Sequence, residues 1–181
     1  MDDAPFATFG PEIKERATIA RALGLDESSL LAGAPIQTGS TGLGFLFVPL
    51  RTRDAVDRAV LDVPTLLASI GAAKDAGLFV FAPNTEPPAA RVYSRMFAPH
   101  RSGIPEDPAT GSASGPLGAY LVRHGLVPAR TAEVRIVSEQ GTKMGRQSFV
   151  HIALRVDDDQ VKEIRVGGGV VSVFEGRLRL D

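Results

Sequence analysis

Cysteine is absent from the 181 residues, which excludes a disulfide framework, a thiolate metal site and cysteine catalysis. That absence is compatible with a reducing cytoplasm, the location we expect. Neither sign of charge is in excess: 20 Lys and Arg stand against 21 Asp and Glu, for a formal net charge of −1. Nucleic acid and anionic membrane surfaces are recognised through basic patches, so the balance argues against both as partners. No apolar run approaches the ~20 residues a membrane-spanning helix needs. The acidic start, Met1-Asp2-Asp3, has neither the basic nor the apolar region of a signal peptide. His100, His124 and His151 lack metal-ligand spacing, so no metal is expected. Internal repeats, low-complexity tracts and linkers are missing too.

What the chain does have is apolar content. At 44% hydrophobic it can bury one sizeable core or two small lobes and is not a disordered segment. A soluble globular protein with a small neutral or anionic ligand is the expectation.

Local patterns supply the elements. Pro11 at a first helical turn, followed by Ile13, Ala17, Ala20 and Leu23 and closed by Gly24, predicts a helix over 11–23. Thr38-Gly39-Ser40-Thr41-Gly42 reads as a glycine-rich approach to a buried strand, Phe45 to Leu50. Helices are predicted over 54–60 and 64–73, then strands at 78–81 and 91–97, with a proline-rich surface turn from Asn84 to Ala90 between them. Further on, 116–124 reads as a helix. Residues 134–137, 149–156, 161–166 and 170–174 alternate with period two and predict antiparallel strands. Gly167-Gly168-Gly169 suits a hinge or a bulge between strands. Helices and strands without repeated strand-helix-strand units predict an α+β fold.

The chemistry concentrates in Glu106-Asp107-Pro108-Ala109-Thr110-Gly111-Ser112-Ala113. Pro108 holds Asp107 in extended geometry, so the carboxylate is presented from a defined backbone. The small residues after it open a helix whose first N–H groups have no intrahelical partner. Such a terminus binds a carboxylate or phosphate, with Thr110 and Ser112 hydroxyls as further donors, and a carboxylate beside it can handle protons. Capping by Thr110 or Ser112, with Asp107 satisfying turn amides, explains the same residues without a ligand.

This eight-residue run resembles the signature of the phenazine-biosynthesis-like (PhzF) isomerases, which share the diaminopimelate-epimerase-like fold. Thr41-Gly42-Leu43, Arg95-Met96-Phe97-Ala98-Pro99, Gly118-Ala119-Tyr120-Leu121, Glu139-Gln140-Gly141 with Gly145-Arg146-Gln147-Ser148, and Val166-Gly167-Gly168 agree with that family in order and spacing. The resemblance implies a mostly antiparallel or mixed sheet wrapped around a central helix. It also implies a cofactor-independent isomerase that shifts a proton on a small carboxylate-bearing metabolite. By the same resemblance Asp107 and Ser112 are the catalytic candidates, and Thr110, Gly111 and Ala113 would bind the substrate. Thr41 and Gly42 either face the cleft or form a tight turn. Arg146 either reaches a ligand or serves as a surface cation.

Members of that family have two lobes, with the general-base glutamate and a Gly-His segment on the N-terminal one. No Gly-His pair occurs in this sequence, and Glu12 and Glu15, placed on the predicted first helix, are poor substitutes. The expected organisation is a crossover over 1–9, a C-terminal lobe over 10–168, and returning strands over 169–181 that pair with an N-terminal lobe. An unpaired apolar edge at Val170 to Phe174 would then favour a homodimer or a separate N-terminal lobe. The competing expectation is a catalytically incomplete member that binds a carboxylate without turnover. A regulatory ligand-binding module has no positive signal.

Overall fold

Two strands are apolar at nearly every position because both of their faces are buried. In the computed structural model, which describes residues 7–73, 75–84, 90–98, 105–129, 131–158 and 160–179, these are β3 (Gly44–Pro49) and β4 (Gly77–Asn84). Leu46, Val48, Leu78 and Val80 point into one core, and Phe45, Phe47, Phe79 and Phe81 into another. A strand covered on both sides loses the polar half of its alternation. The period-two strands lie toward one edge: β7 (Glu133–Gln140) and β8 (Ser148–Asp157) bury alternate residues, while β9 (Gln160–Gly167), the edge strand, half-buries Val161, Glu163 and Ile164 and leaves the rest in solvent.

Together with β1 (Thr8–Ile13), β2 (Ile36–Ser40), β5 (Ala90–Phe97) and the two-residue β6 (Glu106–Asp107), they form one sheet. Its order is β1-β2-β3-β4-β5-β7-β8-β9, with β6 also paired to β5. Two adjacent pairs, β3 with β4 and β5 with β7, are parallel and the rest antiparallel. The α+β expectation of a mixed sheet around a central helix is met.

Helices α1 (Arg16–Ala22), α2 (Arg53–Arg58) and α3 (Val63–Ile70) cover one face. The last two begin where the sequence puts N-caps: Thr52 Oγ1 accepts from Ala55 N at 3.1 Å and Asp62 Oδ1 from Thr65 N at 3.3 Å. The central helix, α4 (Gly111–Arg123), covers the other face and is buried continuously from Ala113 to Leu121. Its glycines let it approach the sheet. A Cβ on Gly118 would come within 2.7 Å of Ile152 Cγ2, and one on Gly115 within 3.5 Å of Ile164 Cγ2. Tyr120 anchors the other side, its ring 5.4 Å from Phe47 and 5.6 Å from Phe81, with its hydroxyl donating to Pro35 O. Burial pushes the Tyr120 phenol above its usual range.

Several sequence expectations need correction. Residues 11–13 belong to β1, and only Arg16–Ala22 is helical. Pairing with β2 (Phe9↔Gly39, Ile13↔Ile36) overrides the local helical spacing, and Pro11 lies in an edge strand where the register shifts. Glu12 is accordingly on a strand. The glycine-rich approach at 38–42 hides strand β2, where Gly39 is required because a Cβ there would sit 2.6 Å from Phe47 Cε2. The helix predicted from Pro116 starts at Gly111, with the proline inside it. Residues 170–174 form no strand and are exposed, Val170 at 92% and Phe174 at 86%. The glycine triplet ends β9 instead of joining two strands. The crossover over 1–9, the turn at 84–90 and His100 fall wholly or partly outside the described residues.

Beyond α4, His124 stacks 4.5 Å from Tyr120, and its Nε2 is buried with no hydrogen-bond partner among the described residues. Burial, reinforced by Arg123, holds the imidazole below its ordinary 6.5, while Glu12 opposes. A depressed folded value means that the neutral form is favoured by the fold. The associated stability is therefore present above pH ~6.5 and is lost as pH falls below it. We expect the melting temperature to drop between pH 7.5 and 5.5, and less steeply in His124→Phe. Equal slopes in thermal scans of the two proteins would refute the assignment.

Candidate functional site

One edge of β5 carries two strands in line: Ala90 to Tyr93 pair with Ile136 to Glu139 of β7, and Met96 and Phe97 pair with Asp107 and Glu106 of β6. Gln140, the last residue of β7, is thereby brought against Asp107. The junction is locked from below by Arg95, which projects from β5 into a nearly dry site. Its Nε and Nη2 donate to the two oxygens of Glu106, each at 2.8 Å, with side chains only 9% and 14% exposed. Its Nη1 also donates to the carbonyls of Val56 and Ala59, at 3.1 and 2.8 Å. A bidentate pair with its remaining donors satisfied is the condition under which a buried charge is tolerated.

Asp107, next along, is turned away from Glu106. Its Oδ2 accepts from Thr110 Oγ1 at 2.6 Å and its Oδ1 from Ala109 N at 3.4 Å. Thr110 is the N-cap residue of α4 by position, yet its side chain makes no capping bond. Gln140, fully buried, accounts for this. Its amide donates to Asp107 O at 2.6 Å and to Thr110 Oγ1 at 3.0 Å, while its Oε1 accepts from Thr110 N at 3.2 Å. The N–H groups of Gly111, Ser112 and Ala113 have no acceptor among the described residues, and no acidic residue sits in the first turn. The positive end of the α4 dipole is thus left open beside one carboxylate.

Asp107, Thr110, Gly111, Ser112 and Ala113 lie together, with Gly111 and Ser112 exposed and the Ser112 hydroxyl unbonded among the described residues. Thr41 joins them: a Cβ on Gly115, one turn into α4, would lie 3.6 Å from its Oγ1. Gly42 does not reach the cluster with a side chain. It holds a turn, φ +145°, and its N–H donates to Ser40 Oγ at 2.9 Å. The Arg146 side chain is exposed and unbonded among the described residues, but its backbone matters. A Cβ on Gly141 would lie 2.3 Å from Arg146 O and 2.7 Å from Pro108 O.

The sequence alone assigns no role to Gln140, Arg95 or Glu106. A signal for the first existed: in β7 the buried phase runs Val134, Ile136, Ser138, Gln140, and polar residues on a strand's buried phase must be hydrogen-bonded to something specific. A satellite cluster flanks the junction. Arg53 pairs with Glu139 at 2.9 Å and lies 3.9 Å over the Tyr93 ring. Burial alone would raise the Glu139 carboxyl, but donors from Thr142, Gln147 and Arg53 hold it below its ordinary value. The Tyr93 phenol is pushed up to about 12 by burial and its bond to Asp57.

The family model described as phenazine biosynthesis-like protein matches residues 3–176. An uncharacterized isomerase of Clostridium acetobutylicum is 34% identical over 96% of this chain and 58% of its own length. The trans-2,3-dihydro-3-hydroxyanthranilate isomerase of Pseudomonas aeruginosa is 32% identical over 91% and 53%. The crystal structure of a PhzF-family phenazine biosynthesis protein from Bacillus anthracis superposes with a TM-score of 0.74 over 90% of this chain and 54% of that one, at 22% identity, which speaks for the fold. The chain spans a little over half the length of these relatives. With the run from Glu106 to Ala113, the α4 start and the mixed sheet all in place, the chain belongs to the phenazine biosynthesis-like protein family.

Proposed function

We propose that this chain supplies the carboxylate-binding half of a cofactor-independent isomerase that shifts a proton on a small carboxylate-bearing metabolite. The observation that carries this reading is the uncapped start of α4, with three N–H groups that have no acceptor among the described residues beside the held carboxylate of Asp107. A substrate carboxylate seated there would be stabilised further as a neighbouring carbon loses its proton, because the developing charge spreads toward those donors. Asp107 then handles a proton or orients the ligand, and Ser112 contributes a hydroxyl. The names of the relatives, isomerases including one acting on trans-2,3-dihydro-3-hydroxyanthranilate, support the reaction class.

The opposing base, in this reading, comes from a second lobe or another copy of the chain. The exposed apolar stretch Val170 to Phe174 offers surface for either. A second reading, binding without turnover, is favoured by the commitment of Glu106 to Arg95, which leaves Asp107 without a second free carboxylate beside it among the described residues. Incubation of the chain with trans-2,3-dihydro-3-hydroxyanthranilate in deuterium oxide, followed by NMR, separates the two. Isomerase action puts deuterium on a ring carbon, and if a second copy supplies the base, the rate per chain rises with chain concentration. Binding without incorporation leaves the second reading, and neither binding nor incorporation sinks both.

A further inference from the structure

The open helix start is not a default state. Threonine at an N-cap position ordinarily accepts from the N–H of the second or third helical residue, here Ser112 or Ala113, and would fill the nest that a ligand needs. Thr110 does not do so, and the reason lies 30 residues away. Gln140 has two amide hydrogens, given to Asp107 O and Thr110 Oγ1, and one oxygen, which accepts Thr110 N–H. Gln140 takes one of the Thr110 hydroxyl's two lone pairs and Asp107 Oδ2, at 2.6 Å, takes its single proton; held between these two partners, the hydroxyl makes no bond to the helix amides. The polar groups of this trio are satisfied by one another in a site where Gln140 and Thr110 are buried.

We infer that Gln140 is a positioning residue: it withholds Thr110 from capping α4 and so keeps the Gly111, Ser112 and Ala113 N–H groups vacant for a substrate carboxylate. The inference rests on the carboxylate-binding reading above for its purpose, and the exchange measurement tests it independently of that reading. Thr110 on this account is a spacer between Gln140 and Asp107, and its hydroxyl gives the ligand nothing.

The test uses the whole chain, labelled with 15N, and reads two quantities: hydrogen exchange of the Ser112 and Ala113 amides, and their shift on titration with sodium acetate. In Gln140→Met the Thr110 hydroxyl is released onto the helix. We expect exchange at one of these amides to slow about fivefold, the effect of one ordinary cap, and the acetate response to be lost. The double variant Gln140→Met, Thr110→Val has no hydroxyl to cap with and should recover both wild-type exchange and the acetate response, which a merely structural role for Gln140 would not allow. Unchanged exchange in folded Gln140→Met, or no recovery in the double variant, overturns the inference. If Gln140→Met does not fold, Thr110→Val alone decides: a retained acetate response supports a withheld hydroxyl, and a lost one makes the hydroxyl a ligand donor and overturns it. Altered exchange in Gln140→Met without any acetate response in the wild type would uphold the capping inference while removing the carboxylate-binding reading.

Discussion

If the chain isomerises as proposed, replacing Asp107 by Asn is expected to lower deuterium incorporation into the substrate by about 10²- to 10⁴-fold, the usual contribution of a positioned proton-transfer group, while leaving the fold intact. Asn has the same shape, and its one side-chain oxygen can still accept from Thr110 Oγ1, now bonded to Oδ2 at 2.6 Å, while its NH2 replaces the oxygen that faces Ala109 N across a long 3.4 Å contact. What it lacks is the negative charge and the capacity to take up a proton. The distinction from a binding defect is read from the acetate titration, which should be retained or strengthened, because the donors are backbone N–H groups of α4 and a negative charge beside them has been removed. A variant retaining more than about a tenth of the wild-type rate would place Asp107 outside the proton path and leave it an orienting role.

The second large effect is on stability. Gly141 has φ +77°, and a Cβ there would overlap Arg146 O at 2.3 Å, Pro108 O at 2.7 Å and Pro108 Cα at 3.0 Å. All three atoms are backbone, so no rotamer change relieves the clash. Gly141→Ala is expected to cost roughly 3–5 kcal/mol from combined left-handed strain and overlap. At about 2–4 °C per kcal/mol for a domain of this size, the melting temperature falls by roughly 6–20 °C. Gly145, four residues on, is the internal control. Its φ is +69°, but nothing lies within 4 Å of a Cβ built there, so Gly145→Ala should cost only the conformational part, about 1–2 kcal/mol. Similar melting temperatures for the two variants would mean that the strand-end turn does not press on Pro108 and that the β7–β8 connection is not what holds the Asp107 segment in place.

The contrast between these glycines illustrates what could be read from the sequence. Period-two alternation located β7, β8 and β9 because one face of each strand is wet, and the apolar runs located β3 and β4. Neither rule found β2, whose Thr38-Gly39-Ser40 are turn-forming residue types. Only the close passage of Phe47 explains a glycine in that strand. At 11–13 a helical spacing of apolar residues lost to strand pairing, since local preference is a weak prior against a register of tertiary contacts. The run from Glu106 to Ala113 stood out because proline, glycine and small hydroxyl residues have specific backbone consequences. The roles of its partners were not legible, because Arg95 and Gln140, although both lie in segments that match the family, are ordinary polar residues until the topology buries them.

That topology has a dynamic consequence. Because β5 and β7 are parallel neighbours, the chain from Ala98 to Ala132, including β6 and α4, is the crossover between them. Asp107 leaves β5's edge at the start of this loop, and Gln140 returns to the same edge only when β7 docks. Release of the β7–β8–β9 ribbon as one cooperative unit of native-state opening would break the Gln140 contacts while the core under α1, α2 and α3, to which these strands contribute no residue, stayed packed. The start of α4 can therefore lose its arrangement well before the chain loses its structure, and fluctuations of one ribbon would set how much of the population keeps the Gln140 contacts.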